Sequence, residues 1–159
     1  MTAKDGASPQ ITAFAIVAHP DDIEFMMAGT LLLLKEAGAD IHLWNLCSGC
    51  YGSTKYDYHE TKRRRWEEAQ AAAREVGAHI YPPIADDLTL FYDAPSIAKV
   101  AAVIRRVKPD IILTQPPLDY MEDHMNTCRL VVTGAFAREM PNFTTLPPEP
   151  HYVGDTVIY

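Results

Sequence analysis

The sequence predicts an α/β fold in which helices cover both faces of a mostly parallel sheet. Three observations lead to this class. Short apolar runs alternate with longer amphipathic segments along the chain, the first run is continuously apolar rather than alternating, and glycines follow two of the amphipathic segments. This alternation is typical of strand–helix–strand units with right-handed crossovers, which build a doubly wound sheet.

The elements follow in order. Ile11–Ala18 is the continuous apolar run and suits a strand buried on both faces. Asp21 and Asp22 stand where a helix cap and first turn belong, and Gly38 ends that helix. Its apolar positions recur at helical spacing: Phe25, Met26, Ala28, Leu31, Leu32 and Ala37. The later elements are strands at Ile41–Leu46, His79–Ile84, Asp110–Leu113 and from Val157, with helices at Thr61–Val76, Pro95–Val107 and Met125–Met140.

Length, charge and cysteine content exclude several classes of protein. A length of 159 residues corresponds to one domain, and a net charge of −7 disfavours binding to nucleic acid or to anionic lipid. No apolar stretch is long enough to span a membrane. Three cysteines fit a reducing compartment, and the first apolar run leads straight into a polar motif rather than a cleavage site. We therefore expect a cytoplasmic protein without a signal peptide.

Polar residues follow the first and fourth predicted strands, where ligands bind in doubly wound sheets. In His19-Pro20-Asp21-Asp22, the imidazole and the second carboxylate can meet across a tight turn and hold one metal ion, while Asp21 projects differently. His124 supplies a second imidazole near the fourth strand. Two histidines and one aspartate leave a fourth position of zinc open, as in hydrolytic sites.

Other interpretations of these residues stay open at this point. Aspartate pairs at helix starts are usually caps, and a single histidine near a strand end is usually just hydrogen-bonded. A Mg²⁺-dependent phosphoryl-transfer enzyme using Asp21 and Asp22 is one alternative, although imidazoles are poor ligands for hard cations. A non-catalytic sugar- or metal-binding module is another. A dinucleotide-binding protein is disfavoured because no G-x-G-x-x-G follows the first strand.

The run from Ala18 to Glu24 resembles the AHPDD-x-E signature of the LmbE-like (PIG-L) de-N-acetylase family. Further matches stand in the family's order and reach from about Ile11 to His124: Gly29-Thr30, Arg65-x-x-Glu68, Gly77, Lys108-Pro109-Asp110 and Asp123-His124. The resemblance implies a Rossmann-like three-layer sandwich and a zinc-dependent amidohydrolase, with Fe²⁺ as an alternative metal. The implied substrate is a small N-acetylated amino-sugar compound such as an N-acetylglucosamine conjugate, and homo-oligomers are common in the family.

Residue by residue, the resemblance implies His19, Asp22 and His124 as metal ligands. It implies Asp21 as the general base and Asp123 as a residue that orients its neighbours. Arg65 is an implied substrate contact.

Asp86 has two interpretations. It follows the weak third strand, where it either forms a turn or accepts a hydrogen bond from a substrate hydroxyl, and the family has an acidic residue in this region.

Three departures from the family pattern qualify this interpretation. Met121 replaces the first His of His-x-Asp-His, and a thioether cannot donate the hydrogen bond that steadies a tetrahedral intermediate. Either Tyr120 or Arg65 takes that role or turnover is poor; a subset of the family carries a similar Asp-Tyr-Met-x-Asp-His run. Cys50 stands where glutamate usually follows glycine. Family members also continue beyond Tyr159, so we treat 1–159 as one domain and leave open whether its C-terminal part is missing.

The pair Cys47 and Cys50 forms a C-x-x-C without a following helix or a second pair, so we expect neither a redox site nor structural zinc there.

Overall fold

The computed structural model describes residues 10–159, in which five helices flank one five-stranded sheet. The strands are β1 (Thr12–Val17), β2 (Asp40–Asn45), β3 (His79–Tyr81), β4 (Ile111–Thr114) and β5 (Val157–Ile158). The helices are α1 (Asp22–Met26), α2 (Ala28–Glu36), α3 (Tyr58–Glu75), α4 (Ala94–Val107) and α5 (Glu122–Ala137). None of the helices in this part of the chain combines the length and the apolar character that crossing a bilayer requires.

The strand order is β3-β2-β1-β4-β5, and every described pairing is parallel. The chain runs from β1 outward through β2 to β3 and then returns to the other side of β1 for β4. Strand order therefore reverses between β1 and β4, and the carboxyl ends of these two strands meet at the switch point. The predicted α/β class is confirmed, and the sheet is parallel in all its described strands.

Both faces of the sheet are buried, which makes the molecule three-layered. Alternate residues of a strand point to opposite faces, so β1 contributes to two separate cores. One core contains Phe14, Ile16, Trp44, Val100, Ile104 and Leu130. The other contains Ala13, Ala15, Val17, Ile41, Leu31 and Ala73. This double burial is the reason for the continuously apolar sequence of β1.

The first predicted helix is two helices in the structure. The backbone turns at Met27, where φ is −128°, so the helical phase is interrupted between α1 and α2. The expectation of one apolar face is wrong here, because Phe25 and Met26 are 83% and 74% exposed while Leu31 is buried. This short region leaves more apolar surface at the exterior than its spacing predicts.

Two further boundaries differ for local reasons. Helix α5 starts at Glu122 rather than Met125, because the Asp119 carboxylate accepts the backbone N–H of Met121 and the N–H of Met125 already bonds the Met121 carbonyl. Strand β3 ends at Tyr81 rather than Ile84, because the following two prolines have no N–H for the ladder. The earlier start of α5 places His124 within its first turn.

Gly134 allows close contact between α4 and α5, and its replacement by alanine tests that packing. A Cβ at this position would lie 2.9 Å from Val100 Cγ1 and 3.2 Å from the Ala101 nitrogen. We expect Gly134→Ala to lower the free energy of unfolding by about 1–3 kcal/mol through overpacking. Gly29→Ala is the matched control, since nothing lies within 4 Å of its added Cβ, and it should leave stability unchanged or slightly higher. Urea unfolding measures both; equal effects would contradict the packing argument.

Candidate metal centre

The candidate centre is built at the carboxyl ends of β1 and β4. Just after β1, the backbone N–H of His19 donates to Asp22 Oδ2 at 2.8 Å, which closes the turn around Pro20. Just after β4, the Gln115 side-chain amide donates to the same oxygen at 2.8 Å. Because the strands pair side by side, residues that are 93 positions apart in sequence meet on one carboxylate.

Two imidazoles converge on Asp22 from different elements. His19 Nδ1 lies 3.7 Å from Asp22 Oδ2, and His124 Nε2 lies 3.5 Å from it. The ring centroids of the two histidines are 5.3 Å apart. One ligand atom from each of the three residues lies within 4.8 Å of the others, which is the spacing that a single cation can bridge. The structure thus brings together the three predicted ligands.

A second carboxylate holds each imidazole by its other nitrogen. Asp123 Oδ2 accepts from His19 Nε2 at 3.1 Å, and Asp119 Oδ2 accepts from His124 Nδ1 at 3.1 Å. Such partners fix the tautomer and the orientation of a metal-binding histidine. Sequence reasoning missed Asp119 and Gln115. Their position directly after a predicted strand was the available signal.

His124 tests whether a metal fits the site. With its proton on Nδ1 facing Asp119, the ring presents the lone pair of Nε2 towards Asp22. That nitrogen is buried and forms no hydrogen bond within the described residues. A buried nitrogen without a partner is costly unless something binds it. A divalent cation with a preference for imidazole fits this donor set of two nitrogens and one oxygen.

The neighbouring carboxylates dominate the electrostatics of the site. Burial by itself lowers the pKa of His19, but Asp22 and Asp123 outweigh it and raise that pKa to about 8. Burial alone would raise the pKa of Asp22, yet its hydrogen bonds from His19 hold that pKa below the ordinary value. The carboxylates around the two rings therefore favour positive charge in the pocket, either a proton on His19 or a cation.

Asp21 faces a cleft of about 390 Å³ beside these residues. Its backbone has φ 109°, an unusual value for a non-glycine residue, and its carboxylate receives Arg65 Nη2 at 3.2 Å. Burial raises the pKa of Asp21, and the Arg65 guanidinium opposes that rise. Backbone strain beside a perturbed carboxylate is a pattern found at functional sites.

A loop after β2 forms one wall of the cleft. Asp87 holds this loop by accepting the backbone N–H groups of Gly49 at 2.7 Å and Tyr51 at 2.9 Å. Gly49 has φ +73°, and a Cβ there would lie 2.9 Å from Arg65 Cγ. Glycine therefore lets the loop approach Arg65. Asp87 is another residue that sequence reasoning missed.

The opposite rim contains Leu88, Tyr120 and Met121. Tyr120 is 91% exposed, and its ring centroid lies 6.5 Å from that of His124. Leu88 has φ 62°, and its N–H donates to Asp123 Oδ2 at 2.8 Å, the same oxygen that accepts from His19. The buried Asp123 thus positions both a ring of the centre and the rim of the cleft.

Asp86 stands outside this group of residues. Its carboxylate accepts from Ser48 Oγ at 2.7 Å, Tyr58 Oη at 2.5 Å and Lys62 Nζ at 2.6 Å, and it does not line the cleft. The structure places it as an anchor between the loop and α3 rather than at a substrate position. Of its two interpretations from sequence, the substrate contact finds no support in this placement.

All three cysteines are free and buried. Burial raises the pKa of the Cys47 thiol, with Asp123 and Asp87 adding to the effect. A thiol held protonated is a poor nucleophile and a poor ligand, although Cys47 lies close to His19 and Asp123. The expectation that the C-x-x-C is not a redox site stays a prediction.

A parallel α/β sheet flanked by helices is the fold of the LmbE-like proteins, and the candidate ligands of this chain lie at its switch point. The chain belongs to the family described as PIG-L: GlcNAc-PI de-N-acetylase, whose profile matches residues 14–135. The resemblance seen in the sequence is thereby confirmed, whereas the meaning of Met121 is not tested by this match.

A hydratase sequence and a hydratase structure from Pseudomonas putida are similar to this chain. It is 33% identical over 132 residues to a 4-oxalmesaconate hydratase of Pseudomonas putida, an alignment that covers 74% of this chain and 48% of the relative. It is similar in structure to the 4-carboxy-2-hydroxymuconate hydratase of the same organism, with a TM-score of 0.82, 25% identity, and coverage of 94% of this chain and 64% of that one.

A deacetylase shares the fold as well. The N,N'-diacetylchitobiose deacetylase of Pyrococcus horikoshii matches with a TM-score of 0.84 and 24% identity, covering 94% of this chain and 60% of that one. The chain spans about half the length of the curated hydratase and less than two thirds of the two structures. The family therefore contains deacetylases and hydratases, which makes it broader than de-N-acetylation.

The anchoring role of Asp86 predicts a specific dependence on pH. Its hydrogen bonds with Lys62, Tyr58 and Ser48 lower the pKa of Asp86 to about 2. A carboxyl group with a depressed pKa stabilises the fold above its unfolded pKa near 4 and loses that effect as the pH falls towards 2. We expect Asp86→Asn to lower the free energy of unfolding by about 1 kcal/mol at pH 7, because the ion pair is partly exposed.

This difference should shrink steadily between pH 4 and pH 2, as measured by urea unfolding with chelator present. Glu36→Gln is the control, since Glu36 is exposed and forms no ion pair within residues 10–159. A difference between wild type and Asp86→Asn that persists at pH 2 would contradict the role of the charge.

Proposed function

We propose that this protein is a divalent-metal-dependent hydrolase that removes an N-acyl group, typically acetyl, from a small amino-sugar compound. The observation that carries the proposal is the convergence of two imidazoles on Asp22, with His124 Nε2 buried and without a hydrogen bond among the described residues. In chemical terms this is a C–N hydrolase acting on a linear amide. N-acetylglucosamine conjugates are the first substrates to test.

Three residues would hold the metal: His19 through Nδ1, Asp22 through its carboxylate, and His124 through Nε2. Zn²⁺ is the proposed ion, with Fe²⁺ as the alternative, because imidazole suits both. A bound ion of this kind lowers the pKa of a coordinated water and polarises an amide carbonyl. Asp123 and Asp119 act as positioning residues, since each holds one imidazole by its remaining nitrogen.

Asp21 is the proposed general base. Its carboxylate borders the cleft, and its raised pKa brings it closer to the working range of a base near neutral pH. It would take a proton from the attacking water and return it to the leaving nitrogen, so that the amine departs neutral. Arg65 holds the Asp21 carboxylate at 3.2 Å and keeps it facing the cleft.

Arg65 and Tyr120 are the proposed substrate contacts. Arg65 is the guanidinium that lines the cleft, and Tyr120 offers a hydroxyl on the opposite rim. Either could donate a hydrogen bond to the developing oxyanion, which the Met121 thioether cannot do. Leu88 adds apolar surface at the entrance. We propose that the protein acts on small molecules. The net charge of −7 disfavours a nucleic-acid partner. By analogy with the family, we also propose a homo-oligomer.

Hydration of a carbon–carbon double bond conjugated to a carboxylate is the second candidate function. The 33% identity to a hydratase favours it, and so does the presence of both Arg65 and Met121 in the lining of the cleft. A guanidinium suits recognition of a carboxylate. Met121 cannot supply the hydrogen-bond donor that stabilises the oxyanion in an amidase. Asp21 would again take a proton from water as the water oxygen adds to one carbon of the double bond, and a proton would then be delivered to the other carbon. The same residues thus serve both reactions, and only the substrate distinguishes them.

The ligand assignment predicts the loss of one equivalent of metal in His124→Gln. Removal of an imidazole leaves two ligands, which hold zinc poorly. We expect this variant to bind one equivalent of Zn²⁺ less than wild type by equilibrium dialysis, with an unchanged circular dichroism spectrum. His151→Gln, an exposed histidine outside the centre, should bind as wild type does. Full retention of zinc by the folded His124→Gln variant would overturn the ligand assignment.

The base assignment predicts that Asp21→Asn keeps its metal and loses activity. An amide cannot accept the proton, so turnover should fall by about 10²–10⁴-fold. Amine release from a panel of N-acetylated sugars measures hydrolysis, and loss of ultraviolet absorbance from unsaturated dicarboxylates measures hydration. Asp155→Asn, an exposed control, should retain activity. Turnover of the dicarboxylates alone would replace the first candidate by the second, and zinc binding without turnover in either panel would favour a non-catalytic module.

A further inference from the structure

A second cluster of ligating side chains lies at the amino end of the sheet, away from the cleft. Asp40 and His42 are two positions apart on β2, so their side chains leave the same face of the strand. His79 opens β3 and is the direct parallel partner of His42. Because β3 is an edge strand, this corner of the sheet is open to solvent. Strand register alone therefore brings two imidazoles and one carboxylate together.

The distances within this cluster are those of a small cation site. Asp40 Oδ2 lies 3.2 Å from His42 Nε2, and Asp40 Oδ1 lies 3.7 Å from His79 Nε2. The two imidazole rings are stacked with their centroids 4.7 Å apart. One ligand atom from each residue lies within 4.8 Å of the other two. Each carboxylate oxygen of Asp40 thus faces a different imidazole.

Tyr81 orients the inner imidazole. Its hydroxyl lies 2.8 Å from His42 Nδ1, which leaves Nε2 to face Asp40. A hydroxyl can either donate to or accept from that nitrogen, so it tolerates the tautomer in which Nε2 is free to bind a metal. The side chain of His42 is 11% exposed, whereas that of His79 is 66% exposed. The His42 imidazole is therefore held in place, whereas the His79 imidazole lies on the solvent side of the site.

We propose that Asp40, His42 and His79 form a second binding site for a transition-metal ion such as Zn²⁺. A set of two imidazole nitrogens and one carboxylate suits zinc and disfavours Mg²⁺ and Ca²⁺, which prefer oxygen ligands. The ion would cross-link β2 to the edge strand β3. The site lies at the start of β2, about 15 Å of extended strand from the cleft, so it is independent of the proposed function.

Zinc titration of the full chain after treatment with chelator tests the proposal. We expect wild type to bind two equivalents by equilibrium dialysis, and His79→Gln and Asp40→Asn to bind one each. His79 is exposed at an edge, so its replacement should leave the fold intact, as checked by circular dichroism. His151→Gln should still bind two equivalents, and His79→Gln combined with His124→Gln should bind none.

Thermal unfolding provides a second readout. An ion that binds only the folded protein raises the unfolding midpoint by an amount that grows with the ratio of free ion concentration to dissociation constant. Excess Zn²⁺ should therefore raise the midpoint of wild type more than that of His79→Gln, and Mg²⁺ should not reproduce the difference. Retention of two equivalents by both His79→Gln and Asp40→Asn would overturn the proposal. The proposal would also be overturned if wild type bound only one equivalent and His124→Gln lost it. If wild type binds one equivalent that is lost in His79→Gln but kept in His124→Gln, the result would support this second site and contradict the site in the cleft.

Discussion

The parallel pairing of β1 with β4 places two carboxyl strand ends next to each other, and the chemistry of the molecule starts from that contact. β1 delivers His19 and Asp22, while β4 leads to Gln115 and the start of α5 with His124. These segments are remote in sequence and would not meet in a sheet of simple consecutive order. Asp22 Oδ2 accepts hydrogen bonds from both sides of the switch point, one from the His19 backbone and one from the Gln115 side chain. The fold thus provides a carboxylate whose surroundings come from two strands.

Orientation of the imidazoles is separate from their proximity. Each ring has one nitrogen on a carboxylate and the other directed at Asp22, so neither ring is free to rotate. The carboxylates also concentrate negative charge in a partly buried pocket, which raises the pKa of His19 and favours a cation. Within residues 10–159, the buried His124 Nε2 forms no hydrogen bond. Geometry and electrostatics therefore point to the same kind of occupant.

Much of this architecture could be predicted from sequence, because apolar runs and capping residues are local signals. The strand alternation and the residues after β1 and β4 were sufficient to indicate the sheet and to bring His19, Asp22 and His124 into one hypothesis. Other features depend on information that is not local. The hydrogen bond between Asp119 and His124 Nδ1 requires α5 to start at Glu122. That start arises from the hydrogen bond between the Met121 N–H and the Asp119 carboxylate in the preceding turn. Asp86 could be placed only once Lys62 was seen to reach it from α3.

The shared acceptor Asp123 Oδ2 has a consequence for how molecules enter the cleft. One oxygen accepts a ring N–H of the candidate metal centre and the main-chain N–H of Leu88, which lines the cleft. Leu88 has a left-handed backbone conformation, which is unfavourable for a residue with a side chain. A ligand that displaces the backbone at Leu88 must therefore also disturb Asp123, which orients the His19 ring. The backbone position of Leu88 and the orientation of the His19 ring therefore depend on the same oxygen atom.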